Sequence, residues 1–302
     1  MPSEIIQWFP GHMAKTRRLI TENLKHVDIV IEILDARIPF SSRNPEIDRL
    51  TEGKPRLVLL NKASLADAAK TKYWCKRFSS RTVFCLPTDC VTGEGMAKIL
   101  PTVKEILAEK LEKYQSKGMS GRRLKAMVLG IPNVGKSSLI NKLSGNRKAK
   151  VVNRPGVTLD KQWFQTGAGL DIMDMPGILW PKFDDKIIGE NLAITGAIKD
   201  SILNVEEIAY ALCTRLRTLY PEMLTARYKL ESMEHYEDLS DYDLFELIGK
   251  KRGFLISGGE IDTERTANML LDEFRAAKIG RITLDTDPEQ PKKEVENAGI
   301  QS

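Results

Sequence analysis

One stretch constrains the folding of this chain more than any other: Gly130-Ile131-Pro132-Asn133-Val134-Gly135-Lys136-Ser137. It fits the pattern G-x-x-x-x-G-K-[ST]. An apolar run from Leu124 to Leu129 precedes it as a buried strand would, and a helical pattern from Lys136 to Leu143 follows. Strand before and helix after are the setting this motif requires. Its glycines let the backbone curl so that successive N–H groups face phosphate oxygens at a helix N-terminus. The candidate binders are therefore Asn133, Val134, Gly135, Lys136, Ser137 and Ser138. Lys136 supplies a point charge to the β- and γ-phosphates, and the Ser137 hydroxyl is a ligand for Mg²⁺.

Two further segments complete the phosphate chemistry. Asp174-Met175-Pro176-Gly177 closes a short strand pattern at Leu170–Met173. Asp174 is placed to hold Mg²⁺ through its water shell, with the Gly177 N–H towards the γ-phosphate. Between the two lies Arg154-Pro155-Gly156-Val157-Thr158, where the Thr158 hydroxyl would complete the metal shell as part of a first switch loop.

The surrounding pattern is α/β. Val27–Leu34, Arg56–Leu60 and Thr82–Leu86 are β-branched or apolar runs, each ending in a polar loop. Ala66–Phe78 and one long segment from Gly95 to about Gln115 carry helical spacing between and after them. Alternation of this kind predicts right-handed βαβ units and a mostly parallel sheet flanked by helices.

The 302 residues are comfortable for two domains. After about Phe183 strand signals nearly vanish, while Val205–Leu219, Tyr242–Ile248 and Thr263–Lys278 are helical in period. The expected organisation is a nucleotide domain over 1–183 with an N-terminal arm, a smaller all-helical domain over 184–284, and a disordered polar tail over 285–302. Four scattered cysteines without C-x-x-C spacing point to reduced thiols in a reducing compartment. The start lacks a signal-peptide profile, and no apolar run nears the roughly 20 residues that span a bilayer. A cytoplasmic location without membrane attachment is the expectation.

Base recognition raises a difficulty. Asn61-Lys62-Ala63-Ser64 sits at a strand end, where GTPases carry N-K-x-D. The Asp of that motif accepts two hydrogen bonds, from the guanine ring N–H and the exocyclic amine. Ser64 is neutral and short, and two charge-assisted bonds at roughly 1.5–3 kcal/mol each are at stake. Discrimination between bases is therefore expected to be weaker than usual. Asp67 is a remote substitute, and the Asp89-Cys90 backbone is a candidate to face the base carbonyl.

The order of motifs is also unusual, because the base motif at 61–64 precedes the phosphate loop at 130–137. No strand after Gly177 offers a second N-K-x-D, so the domain reads as circularly permuted. With Gln7-Trp8-Phe9-Pro10-Gly11-His12-Met13, Asp35-Ala36-Arg37-Ile38-Pro39, Pro155-Gly156-Val157-Thr158 and the run from Asp174 to Phe183, the chain resembles the circularly permuted GTPases of ribosome assembly. The likeness extends from Ile6 to about Arg281, and Ser64 and Thr88-Asp89-Cys90 depart from it. It implies a GTPase that binds the immature large ribosomal subunit, contacts RNA through its helical domain, and leaves after hydrolysis.

Many GTPases place a water-orienting glutamine after the second-switch glycine. Here Ile178 stands after Gly177, so slow intrinsic hydrolysis is expected. The resemblance transfers the missing role to His12, whose near-neutral pKa suits proton handling. It also matches Asn133 to an Asn that helps hold K⁺ in related GTPases. Because the chain runs from Gly177 through Trp180-Pro181 into the helical part, triphosphate contacts at Gly177 are positioned to bias that domain.

A net charge of +5 leans basic, with Lys15, Arg17, Arg18 and Lys25 near Trp8 and Phe9, and a second group at Lys250, Lys251, Arg252, Arg275, Lys278 and Arg281. Paired clusters of this kind favour contacts with RNA phosphates. No dedicated dimer surface is legible, which leaves a monomer as the expectation. Two other readings stay open: a base-tolerant or ATP-using P-loop hydrolase, suggested by Ser64, and a nucleotide-gated RNA-binding module with negligible turnover, suggested by Ile178.

Overall fold

The computed structural model describes residues 12–119, 121–145, 162–166, 169–180, 183 and 185–287, residues 12 and 13 by their backbone alone. Thr158 and the segment around it, with Trp8 and Phe9, lie outside these residues. In chain order the first half contains α1 (His12–Leu24), β1 (Ile29–Asp35), α2 (Pro45–Leu50), β2 (Arg56–Asn61), α3 (Ala68–Phe78) and β3 (Val83–Pro87). It continues with α4 (Met96–Ile106), α5 (Ala108–Ser116), β4 (Leu124–Gly130), α6 (Lys136–Leu143), β5 (Gln162–Gln165) and β6 (Leu170–Asp174). The second half is helical: α7 (Lys186–Ile194), α8 (Val205–Leu219), α9 (Pro221–Tyr228), α10 (Asp241–Lys251) and α11 (Thr263–Arg275).

Among the described residues the strands form one sheet in the order β3-β2-β1-β4-β6-β5. Every pair is parallel except β5 with β6. The chain walks outward from β1 to β3, then returns to lay β4 on the other side of β1. Connections diverge between those two neighbours, and in open parallel sheets the crevice at such a point takes the ligand. Register brings the strand ends to one edge: Asp35 lies opposite Asn61, Ile33 opposite Gly130, Val128 opposite Asp174, and Leu60 opposite Pro87.

Strand β1 is buried throughout, which its run of Ile, Val and Leu explains. Side chains alternate between faces, so Ile29, Ile31 and Ile33 enter one core cluster, and Val30 and Leu34 enter clusters on the other face. Glu32 and Asp35 are the exceptions in this strand: both are buried, and Glu32 accepts a hydrogen bond of 3.0 Å from Arg56. Several helices begin on oxygen-bearing caps, Asp67 for α3, Asn204 for α8, Ser240 for α10 and Asp262 for α11.

The mostly parallel sheet with a helical C-terminal region is the fold expected from the sequence. Several details differ. The single long helix over 95–115 is two helices, because Leu107 departs from helical geometry between α4 and α5. Helix α2 begins with Asn44 as cap and Pro45 in its first turn, and α9 starts at Pro221; both carry the proline signal of a helix start.

The helical part shares its core with the sheet. One cluster runs from Ile31, Val128 and Leu139 through Leu179, Trp180 and Phe183 to Leu212, Ile248 and Phe274. Asp285, expected to open a disordered tail, is buried. It accepts hydrogen bonds from the Ser41 N–H at 2.8 Å and the Asn191 side chain at 2.9 Å. Composition labels the segment polar, but donors from two distant elements satisfy the carboxylate. The described chain continues to Asp287, which takes the Tyr73 hydroxyl.

Candidate functional site

The phosphate loop connects β4 to α6 on the edge where the strand ends converge. Gly135 caps α6 at φ +107°, a conformation that side-chain-bearing residues rarely adopt. A Cβ there would stand 2.3 Å from the Asn61 amide nitrogen. Asn61, from the end of β2, is buried and stitches three loops together. Its Nδ2 donates to the Val134 carbonyl at 2.8 Å, and its Oδ1 accepts from the Cys90 N–H at 3.1 Å. The base motif, the phosphate loop and the loop after β3 are thereby fixed relative to one another.

Lys136 donates to the carbonyls of Gly130 at 3.2 Å and Ile131 at 2.8 Å. Burial pushes its pKa down to about 8, with the Asp174 carboxylate opposing the shift. For Asp174 burial raises the pKa, and Lys136 and the Met175 N–H offset it in part. Its Oδ1 is buried and, among the described residues, has no hydrogen-bond partner. An unsatisfied buried carboxylate oxygen beside a phosphate loop is an acceptor that suits the waters of a metal's shell. Ser137, exposed in the first turn of α6, is the second oxygen donor at this end of the helix. Ser138 beside it is exposed as well.

Gly177 lies directly on the phosphate loop. A Cβ at this position would stand 2.9 Å from the Pro132 nitrogen and 3.0 Å from Lys136 Nζ, so only glycine permits the approach. The next residue, Ile178, donates its N–H to the Gly130 carbonyl at 3.2 Å and turns its side chain into the core. Asn133, at φ +57°, donates Nδ2 to the Gly196 carbonyl at 2.7 Å, just beyond α7. With Nδ2 committed, Oδ1 is the group of this side chain left to accept or coordinate.

Lys62 also has a partner, Asp35 Oδ2 at 2.8 Å. Burial opposes the charge of Asp35, yet Arg37 and Lys62 hold its carboxyl well below the usual range. Asp67 is committed to capping α3, accepting from Ala69 at 2.8 Å and Lys70 at 3.0 Å. That removes it as a substitute base reader. The N–H groups of Asp89 and Cys90, candidates for the base carbonyl, bond to the Glu94 carbonyl at 2.9 Å and to Asn61. Buried N–H groups rarely stay unpaired, and this loop satisfies its own. Ser64 donates its hydroxyl to Asp89 Oδ2 at 2.5 Å.

His12 is the first residue of α1, and its side chain lies outside the described residues. The basic clusters are partly internal. Arg252 pairs with Glu273 at 3.0 Å, and Arg275 with Asp200 at 2.7 Å. Arg281 donates to the Ala63 and Ala66 carbonyls, each at 2.9 Å, and so braces the base loop. Arg17 pairs with Glu46, and Arg18 with Glu22. Lys25, Lys250, Lys251 and Lys278 are exposed. Gly196 is a site-supporting residue that sequence patterns do not single out, and Arg281, read from the sequence as part of a basic cluster, instead braces the base loop; each acts through a partner far away in the chain.

The sequence profile described as a 50S ribosome-binding GTPase matches residues 125–238. The chain is 47% identical over 293 residues to the ribosome biogenesis GTPase A of Bacillus cereus, covering 97% of each. Mitochondrial ribosome-associated GTPase 1 of Mus musculus is 32% identical, with 94% of this chain and 91% of that one covered. Among solved structures, GDP-bound YlqF of Thermotoga maritima superposes with a TM-score of 0.62 at 27% identity, over 90% of this chain and all of that one.

Proposed function

The chain belongs to the ribosome biogenesis GTPase A family, and on that premise we propose that it binds the immature large ribosomal subunit and is released after hydrolysing GTP. It is a GTPase, and GTP with Mg²⁺ are its nucleotide and metal. The observation that carries the reading is the meeting of Lys136, Gly177 and the unpartnered Asp174 oxygen at one sheet edge. Asn133, Val134, Gly135, Lys136, Ser137 and Ser138 cradle the phosphates, and Asn61, Lys62, Ser64, Asp89 and Cys90 form the base side. Ser137 and, through water, Asp174 would hold Mg²⁺, with Thr158 joining in the triphosphate state; the ion would supply positive charge to the β- and γ-phosphates.

Ile178 faces the core, so no side chain at that position orients the attacking water. In our reading His12 supplies that function and Asn133 Oδ1 helps hold K⁺. Exposed lysines such as Lys250, Lys251 and Lys278 suit ribosomal RNA phosphates. The subunit partner rests on the names of the relatives and on the matched profile. A cytoplasmic site of action follows, in our reading, from the ribosome-assembly role. Among the described residues no helix is long and apolar enough to cross a membrane.

The test is phosphate release in K⁺ buffer with GTP or ATP, with and without isolated large subunits. GTP-selective hydrolysis that rises at least tenfold with subunits is expected. A rate indifferent to subunits would remove the assembly reading and leave the phosphate site standing.

A further inference from the structure

The base motif of this chain lacks its carboxylate, and the structure brings one to the same place from another loop. Asp89 follows β3 and is buried, at 3% exposure, whereas Ser64 is only half-buried. Asp89 Oδ1 accepts the N–H groups of Val91 at 2.7 Å and Thr92 at 2.9 Å. Its Oδ2 accepts the Ser64 hydroxyl. Burial disfavours the charge, but the bonds from Ser64, Thr92 and Val91 outweigh it and hold the carboxyl below its ordinary pKa. The group is therefore an anion lodged behind a serine.

That arrangement changes what Ser64 presents. A hydroxyl is ordinarily donor and acceptor at once. Here its one proton is committed to Asp89, so towards the crevice Ser64 Oγ offers lone pairs only. The adjacent negative charge strengthens those acceptors. A guanine edge presents two donors, the ring N1–H and the 2-amino group. Adenine presents a ring nitrogen acceptor and a C–H in the same positions. An acceptor-only surface binds the first and repels the second, which is discrimination by an unfavourable contact as well as a favourable one. The placement relative to the phosphates is fixed, because Asn61 ties the Asp89–Cys90 loop to Val134.

We propose that Ser64 and Asp89 act as one base-reading unit, Asp89 supplying the negative charge that the fourth position of the motif lacks and Ser64 presenting it to guanine as an obligatory acceptor. The assignment rests on the GTPase reading above. It reverses the expectation of weak base choice that Ser64 alone suggests. The competing role for the pair is that of a loop cap, in which Asp89 serves only the Val91 and Thr92 N–H groups.

Equilibrium titration of the full chain with fluorescent GDP, IDP and ADP separates these roles. The variants are Ser64→Ala, Asp89→Asn, Ser64→Asp and the exchange Ser64→Asp with Asp89→Ser, each checked for wild-type melting behaviour. Asp89→Asn keeps a carbonyl for the loop N–H groups while removing the charge. Wild type is expected to prefer GDP over ADP, with IDP intermediate because it lacks the 2-amino donor. Ser64→Ala and Asp89→Asn are each expected to reduce the GDP/ADP preference about 10- to 100-fold, mainly through weaker GDP binding, with ADP binding somewhat tighter as the repelling acceptor is lost. Ser64→Asp alone sets two carboxylates together and is expected to bind GDP poorly, whereas the exchange restores the preference. If wild type selects GDP and both single variants select it equally well, this assignment falls and the GTPase reading stands. If wild type binds ADP as tightly as GDP, both fall.

Discussion

Asn61 and Gly135 interlock: the asparagine amide nitrogen occupies the space that a Cβ on the glycine would need, 2.3 Å away. The base side and the phosphate side of the nucleotide crevice are thus assembled around the absence of one carbon atom. Gly135→Ala is expected to displace Asn61, break its bonds to Val134 and Cys90, and lower nucleotide affinity at least 100-fold, besides costing about 1–3 kcal/mol for the strained φ. Gly145→Ala is the control. Its φ is +71° with nothing among the described residues within 4 Å of the added carbon, so it should lose about 1 kcal/mol and bind nucleotide normally. Thermal melts and nucleotide titration check both.

Asp174→Asn tests the metal side. Among the described residues the buried Oδ1 has no partner and burial raises the pKa of the carboxyl, so a neutral isostere removes a charge that Lys136 and the Met175 N–H offset only in part. Stability without nucleotide is expected to stay within about 1 kcal/mol of wild type. The tightening of GTP binding by Mg²⁺ should vanish, and hydrolysis should fall at least 100-fold. Titration of Mg²⁺ against nucleotide affinity is the measurement. An unchanged Mg²⁺ dependence would remove Asp174 from the metal site.

By sequence alone Ile178→Gln is a gain-of-rate substitution, since it supplies the glutamine that many GTPases carry. The structure predicts the opposite. Ile178 is 1% exposed and belongs to the core cluster with Met173 and Met175. A glutamine there buries an unpaired amide, at a cost of about 1–3 kcal/mol, and reaches no attacking water. A lower melting temperature with no faster phosphate release is the expected result.

Arg281→Ala separates support of the base loop from contact with RNA. The guanidinium bonds the Ala63 and Ala66 carbonyls, so its loss should cost about 1–2 kcal/mol and loosen the loop that carries Lys62 and Ser64. GDP affinity is expected to fall several-fold, while pyrophosphate, which needs only the phosphate loop, should bind as before. Equal weakening of both ligands would show that Arg281 acts on the fold at large.

Local chemistry explains which parts of this molecule were legible beforehand. The phosphate loop is built from consecutive backbone groups, so its glycines and Lys136 carry the meaning in eight adjacent positions. Helices α6 and α8 show their apolar spacing without interruption, and both run over the expected residues, Lys136–Leu143 and Val205–Leu219. Short helices with proline starts, such as α2 and α9, had a signal in Asn44-Pro45 and Pro221 that periodicity alone overlooks.

By itself the sequence determined the α/β class, the permuted order of motifs, the phosphate loop and the missing Asp of the base motif, because each is read from short local patterns and from the order in which they follow one another along the chain. Tertiary structure alone decided the partners: Ser64 with Asp89, Asn133 with Gly196, Arg281 with Ala63, and Asp285 with Ser41 and Asn191. Those pairs join loops and helices far apart in the chain. Which of them meet follows from the order β3-β2-β1-β4-β6-β5 and from the need of each buried polar group for a partner.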